Sequence, residues 1–475
     1  MMQKPHKNRV SRRQFTAGIA TLMAIPGMSH ARMVPPAHPD LDVIVPSDDQ
    51  AGHWATVHAA RFKTVPELRL MPSSREALRV AVDWARAQDV PLTLRSGGHC
   101  LMGFSSGPGV VLDLRGMNAI RVEGGRVTVG PGAAMGDIYA ALAAKGRTLP
   151  GGVYSSVAAA GLMSGGGFGY QSQRRGLMAD WLVGARMIDA DGVSHALNEG
   201  ENTGAFWAAR GIGGGQLGIL EEMTFDTLPL PRAQAVKHTV RLDHRAALEA
   251  LYLWQVWSGG EGARTHFQLI PDVPGQMLVT LSGLDEGGDE SFASDAGEVL
   301  RQPAGLPEAA AMAGSMSDVA AYLYGAPGVV GGNTFLTRSY MFPDWLSNEA
   351  LAAVFEVART APPNAIQLNF EPLDPPATDG AFPHRSARMI LHAQSIANTP
   401  ERLAIAQSQQ SALAAVVAPY TQPGVYVNYP ERDLSDYADA YWGANLPRLS
   451  RVADAWETKR NGLRWITHPQ PVPTV

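Results

Sequence analysis

The residues of this chain that could do chemistry begin with a histidine placed directly after two glycines, Gly97-Gly98-His99. The preceding segment, Val90 to Leu94, is a short apolar run typical of a buried strand. A neutral imidazole is a competent nucleophile. The sequence leaves two interpretations open: a turn that happens to contain a histidine, or a backbone held open for a ligand that His99 touches.

Glycines cluster three times in the first half of the chain, at 95–103, at 151–152 with 161–169, and at 211–218. Successive backbone N–H groups in glycine-permitted conformations form concave sites for anions such as a pyrophosphate. The alternative is that these glycines serve turns in a β-rich domain. Three clusters favour a large phosphate-bearing cofactor, although neither the dinucleotide fingerprint G-x-G-x-x-G nor a P-loop motif is found in its required context.

Length, composition and charge narrow the function classes. The chain has 475 residues, of which 45% are hydrophobic, and this predicts two or three domains with substantial cores. A net charge of −5 provides no broad basic field for nucleic acid or for an anionic membrane. Cys100 is the only cysteine, so no internal disulfide or Cys-rich zinc site can form, and we predict no metal site.

Residues 1–31 have the features of an export signal. A basic stretch precedes a modest apolar run, Phe15 to Met28, and Ser29-His30-Ala31 resembles a cleavage site. The pair Arg12-Arg13 matches a bacterial twin-arginine signal, with an ordinary secretory signal or a disordered tail as alternatives. We therefore expect recognition by the twin-arginine export machinery and a periplasmic or secreted protein. The apolar run is too short for a membrane span, and residues 32–61 are a Pro-rich lead-in.

The elements that must position these residues form an α+β mixture. Ser73 and Glu76 predict a capping box in front of the apolar stripe of a helix. The other predicted helices are 135–145, 205–210, 245–256, 349–359 and 401–417, and the predicted strands are 90–94, 110–114, 126–129, 182–189, 217–225, 277–281 and 365–370. Because the glycine clusters end near residue 230 and longer helical patterns follow, we expect a second domain from there to residue 420.

Several motifs together resemble one protein family. The motifs are Arg95-Ser96-Gly97-Gly98-His99, Gly161–Gly169, Phe206–Gly218, Tyr426-Val427-Asn428-Tyr429 and Tyr441–Asn445. Their order is similar to that in FAD-linked oxidases of the berberine bridge enzyme type, within the vanillyl-alcohol oxidase or PCMH-type superfamily. The resemblance implies a two-lobed FAD-binding domain at 62–230 and a substrate domain at 231–420, whose sheet roofs the flavin with helices behind. It also implies a C-terminal segment, 421–475, that returns to the FAD domain.

The resemblance further implies that His99 attaches covalently to the 8α-methyl group of FAD. The implied cofactor-binding residues are Arg95, Ser96, Gly97, Gly98, His99, Gly103, Tyr154, Gly161, Gly165, Gly166, Gly169, Tyr170, Gly214, Gly218, Ile219, Tyr426 and Asn428. Many members attach the flavin a second time through a cysteine, but Tyr154 occupies that position here, so we predict a single link.

Two further residues, Cys100 and Tyr170, carry expectations of their own. Cys100 follows His99 on what the sequence predicts to be an extended segment, so its side chain should point to the opposite face as a buried, inert thiol. Tyr170 aligns with the residue thought to gate oxygen in the family. Because a tyrosine is larger than the aliphatic residue associated with that position, we expect poor reactivity with oxygen.

The candidate catalytic residues are Tyr429 and His392. Tyr429 matches the active-site tyrosine of the family and is the first candidate for the catalytic base or proton relay, the alternative being an aromatic that only packs on the flavin. His392 is predicted to assist proton transfer. The resemblance implies that the strand carrying His392 and Gln394 presents polar residues to the substrate, and Gln367 and Asn369 alternate in the same way. Gln367, Asn369 and Gln394 are therefore predicted to bind substrate, and the alternative for these residues and for His392 is a polar position at the surface. Glu371 is a further candidate acid at the same edge.

These features predict an exported FAD-dependent oxidoreductase acting on a CH–OH or related C–H centre. The small-molecule substrate would be a sugar, a phenolic compound or a secondary metabolite, and oxygen or another electron acceptor would reoxidise the flavin. The alternatives are a dehydrogenase that avoids oxygen and a flavin-binding protein without turnover.

Overall fold

The computed structural model describes residues 34–45, 65–90, 92–189, 191–259, 265–286, 291–304, 311–315, 335–456 and 470–473. Residues 37–475 form one compact unit. The predicted export signal and much of the lead-in lie outside the described residues. Where the lead-in is described, Leu41–Ile44 forms a strand, which the sequence did not predict. Among the described residues, no helix is both long and apolar enough to cross a lipid bilayer.

The α+β mixture expected from the sequence is confirmed. The strands are β1 (Leu41–Ile44), β2 (Leu68–Pro72), β3 (Leu92–Arg95), β4 (Val110–Asp113), β5 (Ile120–Glu123), β6 (Arg126–Val129), β7 (Arg147–Thr148), β8 (Leu182–Ile188), β9 (Ser194–Leu197), β10 (Ile219–Asp226), β11 (Leu228–Pro229), β12 (Arg232–Asp243), β13 (Thr265–Pro271), β14 (Gln276–Asp285), β15 (Ala311–Ser315), β16 (Phe335–Phe342), β17 (Gln367–Pro372) and β18 (Met389–Ile396). The helices are α1 (Arg75–Gln88), α2 (Met135–Ala143), α3 (Ala159–Ser164), α4 (Ser172–Arg175), α5 (Thr203–Ala209), α6 (His244–Ser258), α7 (Phe292–Ala304), α8 (Asn348–Arg359), α9 (Pro400–Val417), α10 (Tyr437–Trp442) and α11 (Leu446–Ala455).

The first lobe is built on a sheet whose strand order is β1-β2-β4-β3. Helix α1 covers this sheet because its apolar residues repeat every three or four positions, which places Leu78 and Val82 in the core beside Leu112 of β4. The loop with Gly97, Gly98 and His99 starts directly after β3. The packed sheet therefore fixes the point from which this loop begins.

Helix α1 begins one residue later than the capping box predicted. Its N-cap is Ser74, whose hydroxyl accepts a hydrogen bond from the Ala77 backbone N–H at 3.2 Å. The predicted N-cap, Ser73, is wrong. Its hydroxyl instead donates to the Asp40 carbonyl at 3.1 Å, which ties α1 to the segment before β1.

The second lobe has a sheet in the order β5-β6-β10-β8-β9, packed against α2, α3 and α5. Burial alternates along β10, so Met223 and Phe225 enter the core while their neighbours remain partly exposed. The C-terminal helices α10 and α11 join the same core through Trp442 and Leu449. The Trp442 indole N–H also donates to the Ile212 carbonyl at 3.1 Å. The chain therefore returns to this lobe after the next sheet has been completed.

A third sheet begins at β12, and its described strands run β15-β12-β14-β13-β17-β18-β16 with antiparallel neighbours throughout. Helices α6 to α9 cover one face of this sheet, in a core that includes Trp254, Phe267 and Leu269. Because side chains alternate along a strand, His266 and Gln268 of β13 point to the opposite face. That second face carries polar residues and is called the roof from here on.

Candidate active site

A cavity of about 590 Å³ lies between the glycine loops and the roof. Cofactor and ligand pockets usually measure roughly 300–1,000 Å³. The walls come from the three glycine loops, and the C-terminal segment supplies Tyr426 to Pro430 and, further along the chain, Gln470. The predicted cofactor residues that line it are Ser96, Gly97, Gly98, His99, Tyr154, Gly161, Gly214, Gly218, Ile219, Tyr426 and Asn428.

The first glycine loop is shaped by close contacts that only glycine permits. Gly98 has φ of +73°, and a Cβ there would lie 2.8 Å from the Arg95 guanidinium. A Cβ at Gly97 would lie 2.8 Å from the backbone nitrogen of Ala158 in the second glycine loop. Ser96 anchors the loop by donating to the Pro131 carbonyl at 2.6 Å. These contacts bring two loops together and turn His99 toward the cavity.

Gly161 and Gly214 show that the cavity fits FAD. Both line the cavity, yet a Cβ at either position would meet no protein atom within 4 Å. Protein packing therefore does not require glycine at these two positions. What glycine achieves there is a bare backbone wall, which allows a flat ring or a pyrophosphate to approach closely.

The predicted orientation of Cys100 is wrong, because Cys100 and His99 line the same cavity. The alternation rule holds for extended backbone, but β3 ends at Arg95 and the chain then turns. Gly98 has a positive φ, and the Gly103 N–H donates to the Cys100 carbonyl at 3.3 Å. Burial raises the pKa of the Cys100 thiol, so the sulfur remains protonated near neutral pH.

Arg95 and Gly103 do not belong to the described lining of the cavity, contrary to the prediction. The Arg95 side chain is buried and faces the Asp113 carboxylate, with Nε to Oδ2 at 3.7 Å. Arg95 therefore supports the loop from behind, where it contacts Gly98. Gly103, with φ of +72°, serves the turn that follows Cys100.

Gly165, Gly166 and Gly169 also lie behind the described lining rather than in it. A Cβ at Gly165 would lie 2.2 Å from Oδ1 of Asn428, and one at Gly169 would lie 2.1 Å from the Gly151 carbonyl. Gly166 has φ of +113°. These glycines are needed because protein approaches them closely. Their neighbour Phe168, which was not predicted from the sequence, does line the cavity.

Tyr170 is likewise outside the described lining. Its hydroxyl hydrogen-bonds to Ser282 of β14 at 2.8 Å, and its ring lies 4.4 Å from the His266 ring of β13. Tyr170 thus docks the second glycine loop onto the third sheet.

The C-terminal segment brings Tyr426 and Asn428 against the second glycine loop. The Tyr426 hydroxyl accepts from the Gly167 N–H at 3.1 Å, and the Asn428 amide donates to the Leu162 carbonyl at 2.9 Å. The same amide donates to the Tyr426 hydroxyl at 3.0 Å. These hydrogen bonds fix the segment that carries Tyr429.

The roof brings together the three predicted substrate residues. Gln367 pairs with Gln394, and Asn369 with His392, across β17 and β18. The Gln367 amide donates to Asn369 Oδ1 at 3.0 Å and to Gln394 Oε1 at 3.4 Å. Gln268, which was not predicted from the sequence, donates through its amide to the same Asn369 oxygen at 2.9 Å. A row of amides therefore crosses β13, β17 and β18.

Tyr429 lies where the walls meet the roof. Its hydroxyl donates to the Glu371 carboxylate, at 3.3 Å from Oε2 and 3.5 Å from Oε1. Its ring stacks on the His392 imidazole, with centroids 3.7 Å apart and planes inclined by 13°. All three residues line the cavity. The structure thus brings both predicted catalytic residues together and adds Glu371, the further candidate acid at the same edge.

Burial controls the protonation of these three groups. It raises the pKa of Glu371 from 4.5 to about 8, an effect that the hydrogen bond from Tyr429 only partly offsets. It also raises the pKa of Tyr429 well above 10 and lowers that of His392 to about 3. Glu371 is therefore the group that titrates nearest neutral pH, whereas His392 stays neutral. No lysine, arginine or aspartate occurs among the described residues that line the cavity.

Two family models match parts of this chain. The FAD binding domain model matches residues 66–198, and the berberine and berberine-like model matches residues 425–459. Reticuline oxidase of Papaver somniferum is 35% identical over 200 residues, which are 40% of this chain and 37% of that enzyme. The matched part spans about two fifths of the length of the plant relatives.

Two further similarities extend over most of the chain. The uncharacterized FAD-linked oxidoreductase YvdP of Bacillus subtilis is 27% identical over 420 residues, which are 83% of this chain and 89% of that protein. The structure of berberine bridge enzyme from Eschscholzia californica superposes with a TM-score of 0.80 at 22% identity, covering 91% of this chain and 97% of that one. The PCMH-type fold that the motifs implied is therefore confirmed. The chain thus contains a region that matches an FAD binding domain and a C-terminal region that matches the berberine-like model, and it is similar to FAD-linked oxidoreductases of the berberine bridge enzyme-like type.

Proposed function

We propose that this protein is an exported FAD-dependent oxidoreductase that oxidises a CH–OH or related C–H centre of a small molecule. The observation that carries the proposal is the Tyr429 hydroxyl at 3.3 Å from the Glu371 carboxylate, inside a cavity that fits FAD. When bound, FAD supplies the hydride acceptor for such an oxidation. The protein must then supply the group that removes the proton of the substrate.

The pair of Tyr429 and Glu371 can act as that group. With Glu371 ionised, Tyr429 donates a hydrogen bond to it and its own oxygen can accept the proton of a substrate hydroxyl. As that proton arrives, the phenol proton passes to the carboxylate, so no free phenolate is required. A carboxylate with a pKa of about 8 is a far better acceptor than an ordinary one.

The roof favours an uncharged substrate with hydroxyl groups. The amides of Gln268, Gln367, Asn369 and Gln394 both donate and accept hydrogen bonds, as neutral hydroxyl groups do. The described lining holds no lysine or arginine for an anionic substrate, its His392 ring is neutral, and Glu371 is largely neutral at pH 7. The predicted substrate classes were a sugar, a phenolic compound and a secondary metabolite. Within these classes, the roof favours molecules that carry several hydroxyl groups.

We assign the covalent flavin link to His99 alone. His99 lines the cavity at the end of the first glycine loop, as a nucleophile toward a bound ring must. Tyr154 stands at the place of the second link, and this residue is 60% exposed. The Cys100 thiol shares the cavity but remains protonated, and a thiol is a weaker nucleophile than a thiolate.

The remaining parts of the proposal concern export and the electron acceptor. The pair Arg12-Arg13 supports the twin-arginine route to the periplasm or the exterior. Oxygen or another acceptor takes the electrons from the reduced flavin. Because Tyr170 lies outside the described lining and bonds to Ser282, its size gives no reason to prefer another acceptor over oxygen.

Acid precipitation of the purified mature protein tests the covalent link. A yellow pellet is expected, and His99→Ala should release the flavin into the supernatant. His244→Ala, a histidine at the start of α6 and far along the chain from the loops, is the matched control and should retain it. A thiol-linked flavin in the tryptic peptide containing Cys100 would contradict the assignment.

Anaerobic mixing with a panel of neutral alcohols, charged alcohols and amines tests the reaction. Bleaching of the flavin absorbance by hydroxylated neutral compounds is expected. Reoxidation of the bleached flavin in air or by a quinone would then identify the acceptor. A covalent flavin that no member of a broad panel reduces would favour a flavin-binding protein without turnover.

A further inference from the structure

Thr337 is buried beneath the stacked pair of Tyr429 and His392. It lies on β16 with 2% of its surface exposed, and its hydroxyl is 2.6 Å from Nε2 of His392. In the strand register Thr337 stands opposite Gln394, and Ser339 opposite His392. Thr337 does not itself line the described cavity, so any effect on the reaction must pass through His392.

Contacts with the His392 ring define which nitrogen carries its hydrogen. Burial lowers the pKa of His392 to about 3, so the ring is neutral and has a single N–H. The Gln394 amide nitrogen, which can only donate, faces His392 Nε2 at 3.4 Å. Nε2 is therefore the acceptor, the Thr337 hydroxyl donates to it, and the hydrogen resides on Nδ1.

The orientation of His392 sets that of Tyr429. Two rings stacked 3.7 Å apart and within 13° of parallel cannot rotate independently. The other side of the Tyr429 segment is held by the same strand, because the Ser339 hydroxyl accepts from the Tyr426 N–H at 3.2 Å. Two hydroxyls of β16 thus secure the segment and the ring on which Tyr429 rests.

We propose that Thr337 is a positioning residue whose hydroxyl fixes the tautomer and ring plane of His392 and, through that ring, aims the Tyr429 hydroxyl at Glu371. The kinetic part of this inference rests on the proposed function. The tautomer part does not, because it concerns only the ground state of the folded protein.

Nitrogen NMR of flavin-loaded protein with ¹⁵N-labelled histidine tests the tautomer directly. His392→Gln identifies the His392 signals by their loss. In the wild-type protein, Nδ1 of His392 should have the ¹⁵N chemical shift of a protonated ring nitrogen. Nε2 should have the chemical shift of an unprotonated nitrogen that accepts a hydrogen bond. Thr337→Val removes the contact of 2.6 Å and leaves Nε2 only the longer contact of 3.4 Å with the Gln394 amide, so it should shift this pattern toward the other tautomer, and Thr337→Ser should restore it. An unchanged pattern in Thr337→Val would overturn the proposal.

Flavin reduction under anaerobic conditions supplies the second readout. Thr337→Val should lower the limiting reduction rate about tenfold with little change in substrate affinity, and Thr337→Ser should recover most of it. Thr239→Val, on an exposed part of the same sheet, is the matched control and should leave the rate unchanged. If Thr337→Val fails to fold, Thr337→Ala takes its place in both measurements.

The two readouts separate the two hypotheses. If no substrate reduces the flavin, the proposed function fails while the NMR comparison still decides the role of Thr337. If the flavin is reduced equally fast in wild type and Thr337→Val, the positioning role fails while the proposed function stands.

Discussion

The pH dependence of substrate oxidation follows from the burial of Glu371. Only the ionised carboxylate can accept the Tyr429 proton. With a pKa of about 8, about one tenth of Glu371 is ionised at pH 7 and about nine tenths at pH 9. The limiting rate of flavin reduction should therefore rise about tenfold over this interval. An unperturbed glutamate, ionised throughout, would give no rise at all.

Stopped-flow flavin reduction, measured anaerobically at saturating substrate between pH 6 and 10, would show this rise. Glu371→Gln should abolish the pH dependence and lower the rate at pH 9 by roughly 10²–10⁴-fold, the usual contribution of a general base. Tyr429→Phe should cause a loss of the same order, because the carboxylate then has no phenol through which to act.

Glu431 provides a matched control. It is also largely buried, which raises its pKa to about 7, but it faces the Ser339 N–H rather than the cavity. In Glu431→Gln, the rate of flavin reduction should still rise with an apparent pKa of about 8. The reasoning would be refuted by a flat profile in the wild-type protein, or by a rise that survives in Glu371→Gln.

Three further outcomes are expected. His99→Ala should convert acid-stable yellow protein into protein that releases its flavin, and an acid-stable flavin in this variant would contradict the histidyl link. Gly214→Ala should fold normally but bind FAD at least tenfold more weakly, since its Cβ lies in the cavity and meets no protein atom within 4 Å, whereas Gly184→Ala, outside the lining, should bind it as wild type does in a flavin titration. The pKa of His384 falls from 6.5 to about 4 on burial, so the stability that its neutral ring provides is complete above pH 6.5 and is lost as the pH falls through 4. Urea unfolding should therefore show that His384→Gln reduces the slope of unfolding free energy against pH by about 1 kcal/mol per pH unit between these values, and an unchanged slope would contradict this.

Much of the roof could be predicted because a strand has a period of two. The alternation of Gln367 with Asn369, and of His392 with Gln394, is enough to place both pairs on one face. The sheet register then brings them side by side. Gln268 shows the limit of such patterns. Its alternation on β13 is visible in the sequence, but its position beside Asn369 depends on a pairing between strands about 100 residues apart.

The errors around the glycine loops have a common physical cause. Glycine signals an unusual backbone or a close approach, but the sequence does not say whether protein or cofactor makes that approach. Gly161 and Gly214 face open space in the cavity, whereas Gly165 and Gly169 face Asn428 and a carbonyl group. Tyr170 was misplaced for a similar reason, because its partner Ser282 is over 100 residues away.

The return of the chain to the second lobe has a consequence for biosynthesis. Tyr426, Asn428, Trp442 and Gln470 all line the cavity, yet the ribosome makes them only after the whole third sheet. A nascent chain that has not reached residue 426 has the glycine loops but lacks the part of the cavity wall that packs against the second of them. The complete cavity, which we propose binds FAD, therefore forms only after the third sheet has been translated.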